Sequence, residues 1–247
     1  MDLSPQPPVL HWLHQAFATT RPIKRHQVPL PSKEKNMSST TSSSNHAGTG
    51  TVGIIGAGAI GQAMATRLVA AGIDVILSNS RGPESLAPVV DALGPRSRAG
   101  TRQEAASADI VFVSVNWSRL EEALGDIDWN GRVLIDANNP VLLPGYRLAE
   151  LGGRNSSQVL TKLAPGARVV KGFNTLLASV LASDPQQAGG RRVVFLSGDD
   201  REAKDLVASL ADRLGFATID LGSLEVGGAL QQFPGGPLPA LNLVKIG

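Results

Sequence analysis

Short apolar runs recur along the second part of the chain, with glycine-rich or helically spaced segments between them. Runs rich in valine and isoleucine, with few alternating polar residues, are typical of strands that are buried on both faces of a sheet. The runs cover residues 52–55, 75–77, 110–115, 133–135, 169–170, 193–196 and 217–219. Because helical segments separate them, the pattern predicts an α/β fold with a doubly wound parallel sheet.

Helical spacing is clearest in two of the intervening segments. Residues 60–71 place Ile60, Met64 and Leu68 on one face, as expected for a helix packed on a sheet. A second helix is predicted after Asp199, which resembles a capping pair with Glu202 three residues later. Its apolar stripe consists of Ala203, Leu206, Val207, Leu210 and Leu214. Both stripes predict helices that bury one side against the sheet.

The first 50 residues differ in composition from the rest. Prolines interrupt residues 5–31, and residues 38–44 are almost entirely serine and threonine. Such a segment cannot bury enough apolar surface to offset its chain entropy, so we expect a disordered tail over residues 1–50 that carries no chemistry. Met37 could also serve as a start, with residues 1–36 as an upstream extension. The predicted folded domain is residues 51–247.

Composition and charge exclude several classes of function. A formal net charge of +2 and an aromatic content of 4% do not favour nucleic-acid binding, and no apolar run is long enough to span a membrane. The chain has no cysteine, which excludes disulfides and thiolate chemistry, and its four histidines all precede residue 50. We therefore expect a soluble, cytoplasmic protein without a metal site, acting on small molecules.

The most informative motif is a Gly-x-Gly-x-x-Gly sequence that directly follows the first apolar run. In dinucleotide-binding proteins the roles of these glycines are a tight turn (Gly56), close approach to a pyrophosphate (Gly58) and helix–strand packing (Gly61). Ala59 and Ile60 begin the helix, whose positive N-terminal end faces the phosphates. Strand, motif and helix in this order predict a Rossmann-type dinucleotide site. The alternative is an ordinary glycine-rich turn.

The end of the second strand indicates which dinucleotide binds. NAD-binding versions of this fold carry an acid there for the ribose 2′-hydroxyl, but Asp74 lies at the start of this strand, about 12 Å away at ~3.3 Å per residue. Asn79, Ser80 and Arg81 follow the strand instead. Serine and arginine can donate several hydrogen bonds to a phosphate dianion, so the sequence favours NADP(H) over NAD(H). The alternative is that Arg81 begins a solvated turn.

Polar residues also follow later strands, at the carboxyl ends where this fold places ligand contacts. Val115 and Asn116 end the third run, and Asn139 follows the fourth. Their backbone and amide groups are candidate contacts for the ribose or the nicotinamide carboxamide. An Asn-Asn-Pro sequence such as that at residues 138–140 is more often a turn, so both interpretations stay open.

The segment after the fifth run predicts a substrate pocket, although no general acid or base is identified. Lys171, Phe173 and Asn174 would supply a cation, a flat ring as the pocket floor and an amide, beside Asn139. The domain has no histidine, and its one tyrosine, Tyr146, has no lysine four residues later. Reduction of a ketone usually requires such a proton donor, whereas hydride transfer between two redox cofactors does not.

Residues 52 to about 243 resemble the NADPH-dependent reductases of the deazaflavin coenzyme F-420 and the related oxidoreductase domain of the STEAP metalloreductases. The matching segments, in the family's order, are residues 53–61, 79–81, 136–140, 169–175, 197–200 and 220–224. The resemblance implies a Rossmann-type domain with a short C-terminal segment, forming a homodimer and passing hydride between NADP(H) and a deazaflavin or flavin-type ring. The resemblance also implies that Ser80 and Arg81 of this chain hold the 2′-phosphate.

The chain also departs from the family pattern. Asn116 stands where many relatives have proline, and some relatives carry a basic residue shortly after the Ser-Arg pair, where this chain has Glu84 and Ser85. The predicted function is an NADPH-dependent oxidoreductase with a small-molecule redox acceptor. The alternative is a non-catalytic NADP(H)-binding sensor or interaction protein. A reductase of the pyrroline-carboxylate kind is disfavoured, because the last 70 or so residues predict strand, helix and strand rather than a helical domain.

Overall fold

In the computed structural model, which describes residues 50–247, every apolar run named above contains a strand, although the run at residues 110–115 leaves the strand after Val113. The prediction for the tail at residues 1–50 lies outside the described residues, except for Gly50. The strands are β1 (Thr51–Ile55), β2 (Asp74–Ser78), β3 (Ser97–Ala99), β4 (Ile110–Val113), β5 (Val133–Asp136), β6 (Val141–Leu142), β7 (Arg147–Leu148), β8 (Arg168–Gly172), β9 (Gln186–Gln187), β10 (Gly190–Gly198), β11 (Ala217–Asp220) and β12 (Val244–Ile246).

Short helices connect most of these strands. They are α1 (Ala59–Ala70), α2 (Ala87–Leu93), α3 (Arg102–Ala106), α4 (Leu120–Leu124), α5 (Ser156–Leu163), α6 (Ala178–Ala182), α7 (Arg201–Arg213) and α8 (Val226–Gln231). Single 3-10 turns precede α2 at Pro83–Leu86 and α4 at Trp117–Arg119. Across residues 50–247, none of the helices has the length and apolar character needed to cross a bilayer.

The main sheet has the strand order β11-β10-β8-β5-β4-β1-β2-β3. Six neighbouring strands of this order, β8, β5, β4, β1, β2 and β3, are parallel to one another. Strand β10 runs antiparallel to β8, and β11 runs parallel to β10. The predicted α/β class and the doubly wound, Rossmann-type sheet are confirmed. The sheet is mostly parallel, with one antiparallel junction between β8 and β10. The short C-terminal segment returns to this edge and adds β12 to β10.

Both faces of the sheet are covered, which explains the continuous apolar runs. Successive strand residues point to opposite faces, so Ile54 belongs to a core cluster that includes residues of α1, α6 and α7, whereas Ile55 belongs to a second cluster with residues of α3, α4 and α5. Gly53 lies beneath α3, where a Cβ atom would lie 1.8 Å from the carbonyl oxygen of Ala105. A side chain at position 53 is therefore incompatible with the observed height of α3 above the sheet.

The second predicted helix, α7, differs in detail from the expectation. Its N-cap is Asp200, whose side chain accepts a hydrogen bond from the Ala203 amide at 2.9 Å. Asp199 instead accepts from the Leu224 amide at 3.0 Å, so its assignment as the capping residue is wrong. Leu206 belongs to the predicted apolar stripe, but 42% of it is exposed, whereas the other members of the stripe are buried.

Candidate functional site

The glycine motif forms the turn between β1 and α1, and each glycine answers a different geometric requirement. Gly56 has a φ of +103°, and a Cβ there would lie 2.0 Å from the carbonyl oxygen of Ser114. At Gly61 a Cβ would lie 1.9 Å from the carbonyl oxygen of Gly56, so this glycine lets α1 pack against the turn. Gly58 faces open space. The turn thus exposes backbone at Gly58, beside the helix amides that have no intrahelical acceptor.

The end of β2 carries a side-chain-stabilised turn. The amide nitrogen of Asn79 donates to the Ser85 hydroxyl at 2.9 Å, and its oxygen accepts from the Arg81 backbone N–H at 2.9 Å. Gly82, with a φ of +91°, completes the turn. Ser80 and Arg81 project from it and are exposed. Asn79, proposed from the sequence as a ligand contact, therefore shapes the turn that presents its two neighbours.

The loop after β4 is fixed from below by a buried asparagine. The Val115 backbone N–H donates to the side-chain oxygen of Asn138 at 2.7 Å, and the Asn138 amide nitrogen donates to the Val113 carbonyl at 3.2 Å. Asn138 is 3% exposed, so its side chain holds the loop from the protein interior. Asn116 follows as an exposed residue that opens the turn toward α4.

These segments enclose a cavity of about 630 Å³, within the size range of small-molecule sites. Of the residues proposed from the sequence, most line it directly: Gly56, Gly58, Ala59, Ile60, Asn79, Ser80, Arg81, Val115 and Asn116. Gly61 lies just beneath it, buried in the first turn of α1. The carboxyl ends of β1, β2 and β4 therefore meet at one site, as the fold requires.

Asn139 and Asn174 lie outside this cavity and bind each other. The Asn174 side-chain nitrogen donates to the Asn139 side-chain oxygen at 2.9 Å and to the Gln231 carbonyl at 2.7 Å. In return, the Asn139 side chain donates to the Asn174 carbonyl at 2.9 Å, and its oxygen also accepts from the Phe233 backbone at 3.2 Å. The two side-chain amides thus link the segments after β5 and β8 to the C-terminal part of the chain. Ligand contact by either side chain stays a proposal.

Phe173 differs most from its predicted role. Its ring is fully buried and packs edge-on between the rings of Phe112 and Phe216, with centroid distances of 6.0 and 5.9 Å. Its φ of +62° turns the side chain back under the sheet edge. The prediction that this ring forms the floor of a substrate pocket is therefore wrong, since the ring belongs to the hydrophobic core.

Lys171 was expected as a cation at the sheet edge, but it is fully buried in an ion pair. Its ammonium group lies 3.1 Å from the carboxylate of Asp136, which is also fully buried, and donates to the Asn138 carbonyl at 2.9 Å. Asp136 accepts further hydrogen bonds from the Ser157 hydroxyl at 2.7 Å and from the Asn138 backbone and side chain. The same Asn138 holds Val115, so the buried pair supports one wall of the cavity.

Sequence reasoning missed three charged residues of the cavity wall. Arg102, Arg119 and Glu122 line it from α3, the following 3-10 turn and α4. The Arg119 guanidinium lies 2.9 Å from the Glu122 carboxylate. Arg102 follows the end of β3, where this fold places ligand contacts. Because β3 is short and has no apolar run, the sequence pattern did not reveal this strand.

The position of Arg102 is fixed by the cap of α3. The Thr101 hydroxyl accepts from the Glu104 amide at 3.1 Å, and the Thr101 amide donates to the Glu104 carboxylate at 2.8 Å. The backbone hydrogen bond from Thr101, followed by the hydrogen bond from Arg98, holds the pKa of Glu104 below its usual value. The cap therefore keeps a negative charge at the start of α3, where the helix dipole also favours it.

Comparison with known proteins agrees with this geometry. Residues 51–140 match the family model described as NADP oxidoreductase, coenzyme F-420-dependent. The metalloreductase STEAP3 of Rattus norvegicus is 32% identical over 193 residues, which are 76% of this chain and 37% of that protein. The chain thus spans little more than a third of that relative.

Two solved structures are similar over most of their length. A hypothetical protein from Sinorhizobium meliloti is 46% identical, with a TM-score of 0.76 over 81% of this chain and 98% of that one. A candidate F-420-dependent NADP reductase from an Arthrobacter species is 27% identical, with a TM-score of 0.58 over 72% and 86%.

The fold and the cavity define a dinucleotide-binding domain of the oxidoreductase class. With these comparisons, the chain belongs to the family of NADP-dependent oxidoreductases that includes the F-420-dependent NADP reductases and is related to the STEAP metalloreductases.

Proposed function

We propose that this protein is an NADPH-dependent oxidoreductase that transfers hydride between NADP(H) and a deazaflavin, such as coenzyme F-420, or a flavin-type acceptor. The observation that carries the proposal is the cavity that brings the glycine turn, Ser80 and Arg81 together. Gly58 leaves open space where a pyrophosphate would approach the first turn of α1. The residues present therefore fit the dinucleotide.

The 2′-phosphate assignment is supported by the charges around Arg81. Asp74, the acid of β2, lies at the opposite end of that strand and pairs with Arg96 at 3.0 Å, with both side chains more than half exposed. Within the described chain, no carboxylate forms an ion pair with Arg81. The end of β2 thus offers a cation and a hydroxyl to a phosphate dianion, and Glu84, the acid of the following 3-10 turn, is not among the residues that line the cavity.

The chemistry requires that two rings be held close together, with NADPH as the hydride donor. Val115 and Asn116, at the end of β4, lie on the side of the pyrophosphate turn away from Arg81, where the nicotinamide end belongs in this strand order. The loop that carries them is held by Asn138. In this proposal the protein holds the two rings in position for hydride transfer. Such positioning alone can supply much of the reduction in the activation barrier. A homodimer, implied by the resemblance, and a cytoplasmic location, expected from the composition, stay predictions.

The experiment measures binding first and turnover second. NADPH is expected to bind more tightly than NADH, and Arg81→Ala is expected to remove most of that difference. Equal affinities in the native protein would contradict the 2′-phosphate assignment. NADPH oxidation is then followed near 340 nm, the nicotinamide absorption band, with deazaflavin, flavin and quinone acceptors. Turnover with a deazaflavin or flavin supports the proposal, whereas tight NADPH binding without turnover on any acceptor favours the sensor function.

A further inference from the structure

Arg102 leaves the sheet beside Arg81, on the neighbouring strand. β2 and β3 are parallel, Leu77 pairs with Ala99, and the Gly100 N–H donates to the Leu77 carbonyl at 2.8 Å. Arg81 follows Leu77 by four residues, and Arg102 follows Ala99 by three. Both arginines therefore emerge from the same edge of the sheet, and both line the same cavity.

The charge of Arg102 is available to a ligand. Within residues 50–247 neither Arg81 nor Arg102 forms an ion pair, and the guanidinium of Arg102 donates to the backbone carbonyl of Glu122. Glu122 is the one acidic side chain that lines the described cavity, and its carboxylate is paired with Arg119. Since a guanidinium has five N–H donors, Arg102 keeps several free while this one bond holds it across the cavity wall.

The strand order places Arg102 at the adenosine end of the site. Moving along β4-β1-β2-β3, the pyrophosphate turn follows β1, the Arg81 turn follows β2, and Arg102 follows β3. The backbone of Arg102 is therefore on the side away from the nicotinamide, and its guanidinium reaches across the cavity to the Glu122 carbonyl. We propose that Arg102, beside Arg81, is a second cation for the 2′-phosphate of NADP(H). This inference rests on the proposed binding of NADP(H).

The turn after Arg81 carries Glu84 and Ser85 and no second basic residue. Here the second positive charge comes from the next strand rather than from the same turn. The cap on α3 fixes the backbone of Arg102 before a ligand arrives, which reduces the entropy lost on binding. Two guanidinium groups on different elements can hold a phosphate dianion from two directions, each with charge-assisted hydrogen bonds.

The test uses two small probes that differ in the phosphate at issue. Binding of adenosine 2′,5′-bisphosphate and of adenosine 5′-monophosphate to the full chain is measured by calorimetry. Arg102→Ala is expected to weaken the bisphosphate about tenfold or more, as for loss of a hydrogen bond to a charged group, and to change the monophosphate less than about twofold. Arg96→Ala is the matched control: Arg96 directly precedes β3, at the end of that strand away from the cavity, and it pairs with Asp74. Its loss removes the same charge and should change the affinity for neither probe.

Several outcomes would overturn the inference. If Arg102→Ala lowers the affinity for both probes equally, the guanidinium contacts the adenine or the 5′-phosphate instead. If neither affinity changes, Arg102 does not contact the ligand. If Arg81→Ala alone weakens the bisphosphate, the proposed function stands and only the role of Arg102 fails. If the native protein does not distinguish the probes, both fail. Should Arg102→Ala not fold, Arg102→Gln keeps the side-chain length, and the same selective loss is expected.

Discussion

The buried pair of Lys171 and Asp136 makes a sharp prediction about stability. Both side chains are fully buried, 3.1 Å apart, beneath the loop that carries Val115. Lys171→Met keeps the length of the side chain and removes its charge. The change leaves the Asp136 carboxylate with hydrogen bonds from Ser157 and Asn138 but without a counter-ion. A carboxylate in that position has lost the interaction that compensated for its desolvation.

The expected loss can be bounded from this geometry. Removing one partner of a buried pair costs about 3–5 kcal/mol of folding free energy. Because the remaining hydrogen bonds to Asp136 offset part of its desolvation, we expect the lower part of that range, ~3–4 kcal/mol. For a domain of this size that corresponds to a thermal midpoint lower by about 6–16 °C. The double variant Lys171→Met/Asp136→Leu leaves no buried charge, so it should regain much of this stability.

Urea unfolding followed by far-UV circular dichroism and by the fluorescence of the buried Trp129 measures the effect. Arg96→Met is the control, because Arg96 forms an exposed pair with Asp74 and should cost less than about 1 kcal/mol. A loss for Lys171→Met no larger than that of the control would refute the reasoning. So would a double variant less stable than the single one, since the pair would then not act as a unit.

Further predictions concern the glycine turn, a helix cap and the tail. Gly58→Ala should weaken NADPH binding and leave the unfolding midpoint nearly unchanged. Gly56→Ala should lower the midpoint, because its Cβ would lie 2.0 Å from a carbonyl oxygen. A thermal shift assay in which Gly58→Ala lowers the midpoint more than Gly56→Ala would contradict this. The hydrogen bond from Arg168 and the α7 amide lower the pKa of Asp200 to about 2, so its contribution to stability is present above pH 4 and lost as pH falls toward 2. Asp200→Asn should flatten the unfolding free energy over that acid range, and an unchanged pH profile would argue against the cap. Deletion of residues 1–36 should leave NADPH affinity and the midpoint unchanged, and a large loss would show that the folded domain needs them.

What the sequence could predict was local. The glycine turn, β1 and α1 follow from neighbouring residues, because the motif and the helical stripe lie within about 20 positions. The direction of β10 was not accessible, since it depends on the whole path from β8. Nor was the burial of Lys171, because lysine is almost never fully buried unless it is paired and its partner lies 35 residues earlier. Phe173 follows a strand end, as ligand-binding residues do, but its positive φ sends the ring to the core.

Gly53 has a consequence beyond close packing. It lies in the middle of β1, never reaches the cavity, and sets the height of α3 through its contact with the Ala105 carbonyl. Arg102 lies three residues earlier on the same short helix, hence on the same face. A methyl group at position 53 would lift that helix and move the guanidinium with it. If Arg102 holds the 2′-phosphate as proposed, a mutation at position 53, which does not line the cavity, would change the preference for NADP(H) over NAD(H).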